Sequence, residues 1–296
     1  MAKFGDAERN IANLFQLGTC FTLDSITYSV VKVGKPTCKK GEPKTDIYVL
    51  AKSDALVERE IKISFKKENA DFIENKTNAE RAEALFGFNW SQIIQAATAS
   101  IKPAFENKKL IYKVKGGKTE EGAMTLGWKY ELLNKTGGEL SGVVKLTRDQ
   151  IIDVYAGTHL PDDKRNAMVN GSVIQDSGIA NYILINDSVA TAQDVIDNLY
   201  SIDEYVDKYP TVYFACKALN YRTYHDKYDG DRPLSVYVDW TVENGKLKSN
   251  LVFNNPLNIK GTQVADKLKE ALKILEVKTT REITEDMVAN PSVIFK

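Results

Sequence analysis

The sequence predicts an α/β fold of the α+β type, with a mixed central sheet flanked by helices and further strands and helices in the C-terminal half. Three observations predict it. An amphipathic stretch near the N-terminus precedes three strand-like runs that end at Phe65. Two helical stretches follow directly, and beyond residue 120 apolar runs return with a helix near the end of the chain.

Taken in order, a helix is predicted from Asp6 to Gln16, with Ile11, Leu14 and Phe15 on one side and Gly18 ending it. Phe21 to Val33, rich in Thr, Tyr, Val and Ile, reads as strand, and Gly34 to Pro43 as a turn. Thr45 to Ala51 and Leu56 to Phe65, joined through Ser53-Asp54, complete a meander. Helices are predicted over Asn78 to Phe86 and Ser91 to Ile101, with Pro103 closing the second. Met124 to Leu133 and Glu139 to Leu146 pattern as a hairpin around Asn134–Gly138, and Thr147 caps the helix that follows. Later strands are expected at Thr211 to Leu219, Leu234 to Val242 and Lys246 to Phe253, with Glu243-Asn244-Gly245 as a turn, then a helix over Gln263 to Leu275. The change of character near residue 120 divides the chain into 1–120 and 121–296; the alternative is one fused domain whose later strands extend the same sheet.

Forty Lys and Arg balance forty Asp and Glu over the 296 residues. The balance is uneven along the chain, because residues 1–120 hold 20 basic against 15 acidic side chains. A local basic surface is enough to bind polyanions. Cys20, Cys38 and Cys216 are odd in number and lack C-x-x-C spacing, which fits reduced thiols in a cytoplasmic protein. No apolar run approaches the roughly 20 residues of a membrane span, and the N-terminus does not read as a signal peptide. With His159 and His225 the only histidines, a His-rich zinc centre is disfavoured. The spacings of a P-loop and of a nucleophile elbow are absent.

Glu60-Ile61-Lys62 carries the most specific chemistry. Residues i and i+2 of a strand share a face, so Glu60 and Lys62 point the same way, and an antiparallel neighbour beginning at Asp46 is expected to bring a second carboxylate to them. Two carboxylates suit a Mg²⁺ ion, which keeps several positions for water and phosphate, and a lysine offsets charge in the transition state. Glu-x-Lys also occurs at Glu74-Asn75-Lys76, Glu106-Asn107-Lys108 and Glu276-Val277-Lys278, but there it lies outside a strand-like run that follows an aspartate. The competing reading is a cross-strand ion pair on a solvated sheet face.

Asp46 followed by Glu60-Ile61-Lys62 resembles the PD-(D/E)xK signature of the restriction-endonuclease-like nucleases. The flanking residues Pro43-Lys44-Thr45-Asp46 and Glu60-Ile61-Lys62-Ile63-Ser64-Phe65-Lys66-Lys67 are most similar to type II restriction enzymes. Pro43 stands three residues before Asp46 instead of beside it. The resemblance implies a restriction-endonuclease-like core over 1–120, with Mg²⁺, or Mn²⁺ in its place, held by Asp46 and Glu60. Lys62 would position or activate water, and Glu8, from a helix ahead of the first core strand, would assist. Glu8 also reads as a first-turn glutamate suited to the helix dipole. The same resemblance implies double-stranded DNA as substrate, a homodimer, the cytoplasm of a prokaryotic or phage-host cell, and target recognition in 121–296. DNA contacts are expected from Lys44, Lys66 and Lys67 beside the site. Lys164, Arg165, Asn166 and Asn170 are further candidates, since Arg and Asn read base edges, although such residues also fill ordinary polar loops. The alternatives are a repair, phage or mobile-element nuclease of the same fold, or a non-catalytic DNA-binding or interaction protein.

Overall fold

The structure, a computed structural model, describes residues 4–66, 72–75, 77–186 and 188–296. The chain is a mixed α+β protein with two compact units, one formed by residues 1–70 and 146–210 and the other by 71–145 and 211–296. The division thus does not fall at residue 120, because each unit is completed by a segment from later in the chain.

In the first unit, helix α1 (Phe4–Asn13) precedes strands β1 (Cys20–Leu23), β2 (Ile26–Gly34), β3 (Ile47–Ser53) and β4 (Glu58–Phe65). These four are antiparallel neighbours in sequence order. The strand Tyr182–Leu184 then adds parallel to β4, and Tyr200–Ser201 closes the edge antiparallel to it. The run predicted as one strand, Phe21 to Val33, is split by a two-residue turn at Asp24 and Ser25 with φ of 53° and 63°. Both central residues at positive φ is the geometry that matches strand twist in a tight hairpin, here without the glycine that would have announced it. Along β3 and β4 the residues alternate between two faces. Ile47, Val49 and Ala51 join Ile61, Ile63 and Phe65 in a core with Ala7 and Ile11 of α1, with Phe15 just beyond that helix, and with Val195 and Ile196 of the helix Ala192–Asp197. The opposite face carries Tyr48, Leu50, Glu60, Lys62 and Ser64.

The second unit is built around the strand Ala123–Leu133, paired antiparallel with Val212–Arg222 on one edge. On the other edge it meets Val236–Glu243 at Gly127 and Trp128, and Phe72–Glu74 at Leu132 and Leu133. Since both edges are occupied, the expected hairpin around Asn134–Gly138 does not form. Ser141–Val144 pairs instead with the far side of Val212–Arg222. The predicted turn at Asn244-Gly245 does join Val236–Glu243 to Lys246–Val252. These later strands belong to the second sheet and do not extend the first. Pro103 lies in the first turn of the helix Lys102–Glu106, where its missing N–H is harmless, instead of closing the helix Trp90–Ala99. Among the described residues no helix is long and apolar enough to cross a membrane.

Candidate active site

Asp46 stands one residue before β3, where the chain enters the sheet. Its backbone N–H donates to the Ile63 carbonyl at 2.8 Å, and its Oδ2 accepts the Phe65 N–H at 2.8 Å, so the side chain acts as an extra rung across to β4. Ile47 pairs with Ile63; one step back along that register sets Asp46 against Ser64, and the next residue of that face is Lys66. Burial raises the half-buried Asp46 carboxyl to about 6. The charge of Lys66 works against this rise, the Glu8 carboxylate adds to it, and the Phe65 N–H and Lys35 oppose it. Glu8, on α1, is only 7% exposed, and Lys35 Nζ lies 2.6 Å from its Oε2. Burial disfavours the Lys35 ammonium, yet its hydrogen bond to Glu8 and the charges of Glu8, Asp46 and Glu42 outweigh that and raise its pKa. Glu8, Asp46, Lys35 and Lys66 thus form one electrostatic cluster at the start of β3.

Glu60 and Lys62 share this face but lie farther along it. Lys62 is opposite Tyr48 and Glu60 opposite Leu50. Leu50 is four residues beyond Asp46, roughly 13 Å of strand at about 3.4 Å per residue. The register therefore does not bring Glu60 to Asp46. Glu60 Oε1 instead accepts the Tyr48 hydroxyl at 2.5 Å, and its Oε2 is 3.5 Å from Lys62 Nζ. Burial, followed by the hydrogen bond to Glu60, pushes the Tyr48 phenol well above its usual range. Lys62 Nζ also donates to the Asp176 carbonyl at 3.2 Å. Glu60 and Lys62 thus pair within one strand, and the contact that crosses to β3 is the Tyr48 hydroxyl's.

The polar segment around residues 159–178 packs on the loop leading to Asp46, within the same unit. Thr37 and Met168 exchange backbone hydrogen bonds, and the Gly178 carbonyl accepts the N–H groups of Lys44 and Thr45 at 3.0 and 3.2 Å. Arg165 is bound to Asp176 Oδ1 at 2.5 Å, Asn166 Oδ1 accepts the Asp176 N–H at 3.0 Å, and Asn170 Nδ2 donates to the Val33 carbonyl at 2.8 Å. Those three expected DNA contacts thus hold the segment in place. Lys164 Nζ lies beside Gly41, and the Lys44 side chain beside Gly157. Lys67 lies outside the described residues.

Among the described residues no group of three or more His, Cys, Asp or Glu is placed to hold a metal ion. No protein-family model, curated protein or solved structure matches the chain. Sequence reasoning missed Lys35 as a partner of the site and placed Lys66 only as a DNA contact. Ser64-Phe65-Lys66 repeats the i, i+2 spacing of Glu60-Ile61-Lys62. Choosing between the two spacings required the register.

Proposed function

We propose that this protein is a Mg²⁺-dependent endonuclease acting on double-stranded DNA, with a restriction-endonuclease-like core in its first unit and an active site formed by Asp46, Glu8 and Lys66. The observation that carries this reading is the Asp46 carboxyl, raised to about 6 beside a second, almost fully buried carboxylate. Two carboxylates that disfavour each other's charge, half-relieved by lysines, make a place where a divalent cation is welcome, and Mg²⁺ commonly takes only one or two protein carboxylates. Asp46 and Glu8 would hold Mg²⁺ or Mn²⁺. When bound, the ion supplies a water of lowered pKa and polarises a phosphoryl oxygen. Lys66 would offset the negative charge that develops on the phosphate, and Lys35, bonded to Glu8, would hold that carboxylate in place. The order of elements, a helix, an antiparallel meander and a later parallel strand beside β4, supports the resemblance. A homodimer that cuts both strands is what that resemblance implies.

The test is cleavage of unmethylated plasmid and phage DNA by the purified protein in Mg²⁺. Discrete products are expected, lost in EDTA and in Asp46→Asn. Lys66→Ala should slow cleavage by about 100-fold or more, and Lys62→Ala by much less. DNA left intact under every condition would refute the nuclease reading. Loss of cleavage in Lys62→Ala with an active Lys66→Ala would return the centre to Glu60 and Lys62.

A further inference from the structure

The segment that packs on the loop before Asp46 contains a small ribbon. Met168–Val169 and Ser172–Val173 pair antiparallel across the two-residue turn Asn170-Gly171, with φ of 50° and 81°. Thr37 extends the ribbon on its other edge by exchanging backbone hydrogen bonds with Met168, both at 2.9 Å. The inner side is anchored. Val169 is fully buried, and the missing Cβ of Gly34, which would lie 2.8 Å from it, leaves room for it on β2. Asn170 Nδ2 adds its bond to the Val33 carbonyl.

The outer side is open and largely apolar. Directly opposite residues of antiparallel strands point the same way, so Thr37, Met168 and Val173 form one row across the ribbon. Met168 is 45% and Val173 68% exposed, and Thr37 is exposed beside them, its hydroxyl turned to the Met168 carbonyl at 3.3 Å. Exposed apolar side chains are ordinary when scattered singly; adjoining ones held on an anchored ribbon favour a partner. Charge says which partner. Lys39 and Lys40, shortly after Thr37 in the chain, are exposed and form no ion pair among the described residues. Lys164, with Asp163 and Glu42 against it, stands about Cys38 between them. On the other side Lys35, two residues before Thr37, is bonded to Glu8. The row thus begins within roughly 7 Å of backbone of the candidate active site.

We propose that this row is the base-reading surface of the protein, laid in the major groove of DNA. Met168, Val173 and the Thr37 methyl meet thymine methyl groups, and Lys39 and Lys40 lie on the flanking phosphates. The major groove, about 12 Å wide, admits a two-stranded ribbon, and the thymine methyl is the apolar group that it displays. Arg165, Asn166 and Asn170, which hold the segment in place, support the reading surface instead of contacting bases. The proposal rests on the nuclease reading for the choice of DNA as the partner.

The test selects from a pool of random duplexes on the immobilised full chain in EDTA, where no metal-dependent cleavage intervenes, and then measures the selected duplex by fluorescence anisotropy. A thymine-bearing site is expected to be enriched. Replacing a contacted thymine by uracil, which removes only the methyl, should weaken binding by about three- to fivefold. Met168→Ala and Val173→Ala, with the circular dichroism of the folded protein unchanged, should each abolish that effect at a different thymine. Lys39→Ala combined with Lys40→Ala should weaken every duplex alike and lower the slope of log affinity against log salt by about 2. No enriched sequence, indifference to every uracil, or an undiminished uracil effect in both apolar variants would overturn the proposal. Dimerisation lost in those two variants, with DNA binding kept, would give the row to a second copy of the chain instead. Enrichment of a thymine-bearing site by a chain that cuts no DNA would uphold the row and refute the nuclease reading. Cleavage at a site whose thymines can all be replaced by uracil would refute the row alone.

Discussion

Burial and the neighbouring Glu8 carboxylate move the Asp46 carboxyl from its ordinary 3.8 to about 6, against the pull of Lys66 and Lys35. Between those two values the unfolded chain releases this proton before the folded one does. The contribution of Asp46 to stability therefore falls as pH rises from about 4 to 6, and above that the folded protein carries the whole penalty. A shift of this size corresponds to an order of 1–3 kcal/mol. Asp46→Asn is expected to stabilise the metal-free protein by about that much at pH 8, and not at all below pH 4. Urea unfolding at both pH values measures it, and an equal difference at the two would contradict the assigned cause. Mg²⁺ should close the gap by stabilising only the wild type, and DNA cleavage should fall as pH drops below about 6. The residue types of this site were legible in the sequence, since Asp46, Glu8 and Lys66 were all marked. Their partnership was not, because it depends on which residue of β4 faces Asp46, a matter of hairpin register that spacing alone leaves open.

Among the elements, β4 is secured by a side chain that behaves like backbone. Asn181 Oδ1 accepts the Lys62 N–H at 2.7 Å, and its Nδ2 donates to the Glu60 carbonyl at 3.0 Å, just before Tyr182–Leu184 takes up the ladder. Asn181→Ala should cost about 1–3 kcal/mol through the unpaired groups it leaves, measured by chemical denaturation. Gly178 is the second point of control. A Cβ there would lie 1.8 Å from the Lys164 carbonyl, so Gly178→Ala must displace backbone, and about 3 kcal/mol of destabilisation is expected. Because the Gly178 carbonyl holds the N–H groups of Lys44 and Thr45, cleavage should fall in the same variant. A Gly178→Ala protein with wild-type stability and cleavage would show that the segment yields without cost. The meander β2–β4 was readable from apolar alternation. The strand Tyr182–Leu184 was not, being three residues long within a polar stretch, and the misplaced hairpin at Asn134–Gly138 had turn chemistry that competing strands overruled.

On the scale of the molecule, composition could not reveal that the chain passes back and forth between two units, since each passage leaves the local patterns of helix and strand unchanged. A fragment ending at Lys145 retains α1 and β1–β4 but lacks Tyr182–Leu184. It is expected to aggregate where the full chain stays in solution, and a soluble fragment with β4 amides protected from hydrogen exchange would contradict this. The late strand that completes the first sheet has a further consequence, felt before the protein exists as a finished chain. Tyr182 is made 117 residues after Phe65, its strand's neighbour in β4, so at about 5–20 residues per second the ribosome needs about 6–23 s to supply the missing partner. Throughout that interval Ile63 and Phe65 sit on an open edge able to pair with any extended segment nearby. Yield in the cell is thus governed by the pace of translation and by whatever shields that edge meanwhile, and slower synthesis lengthens the exposure.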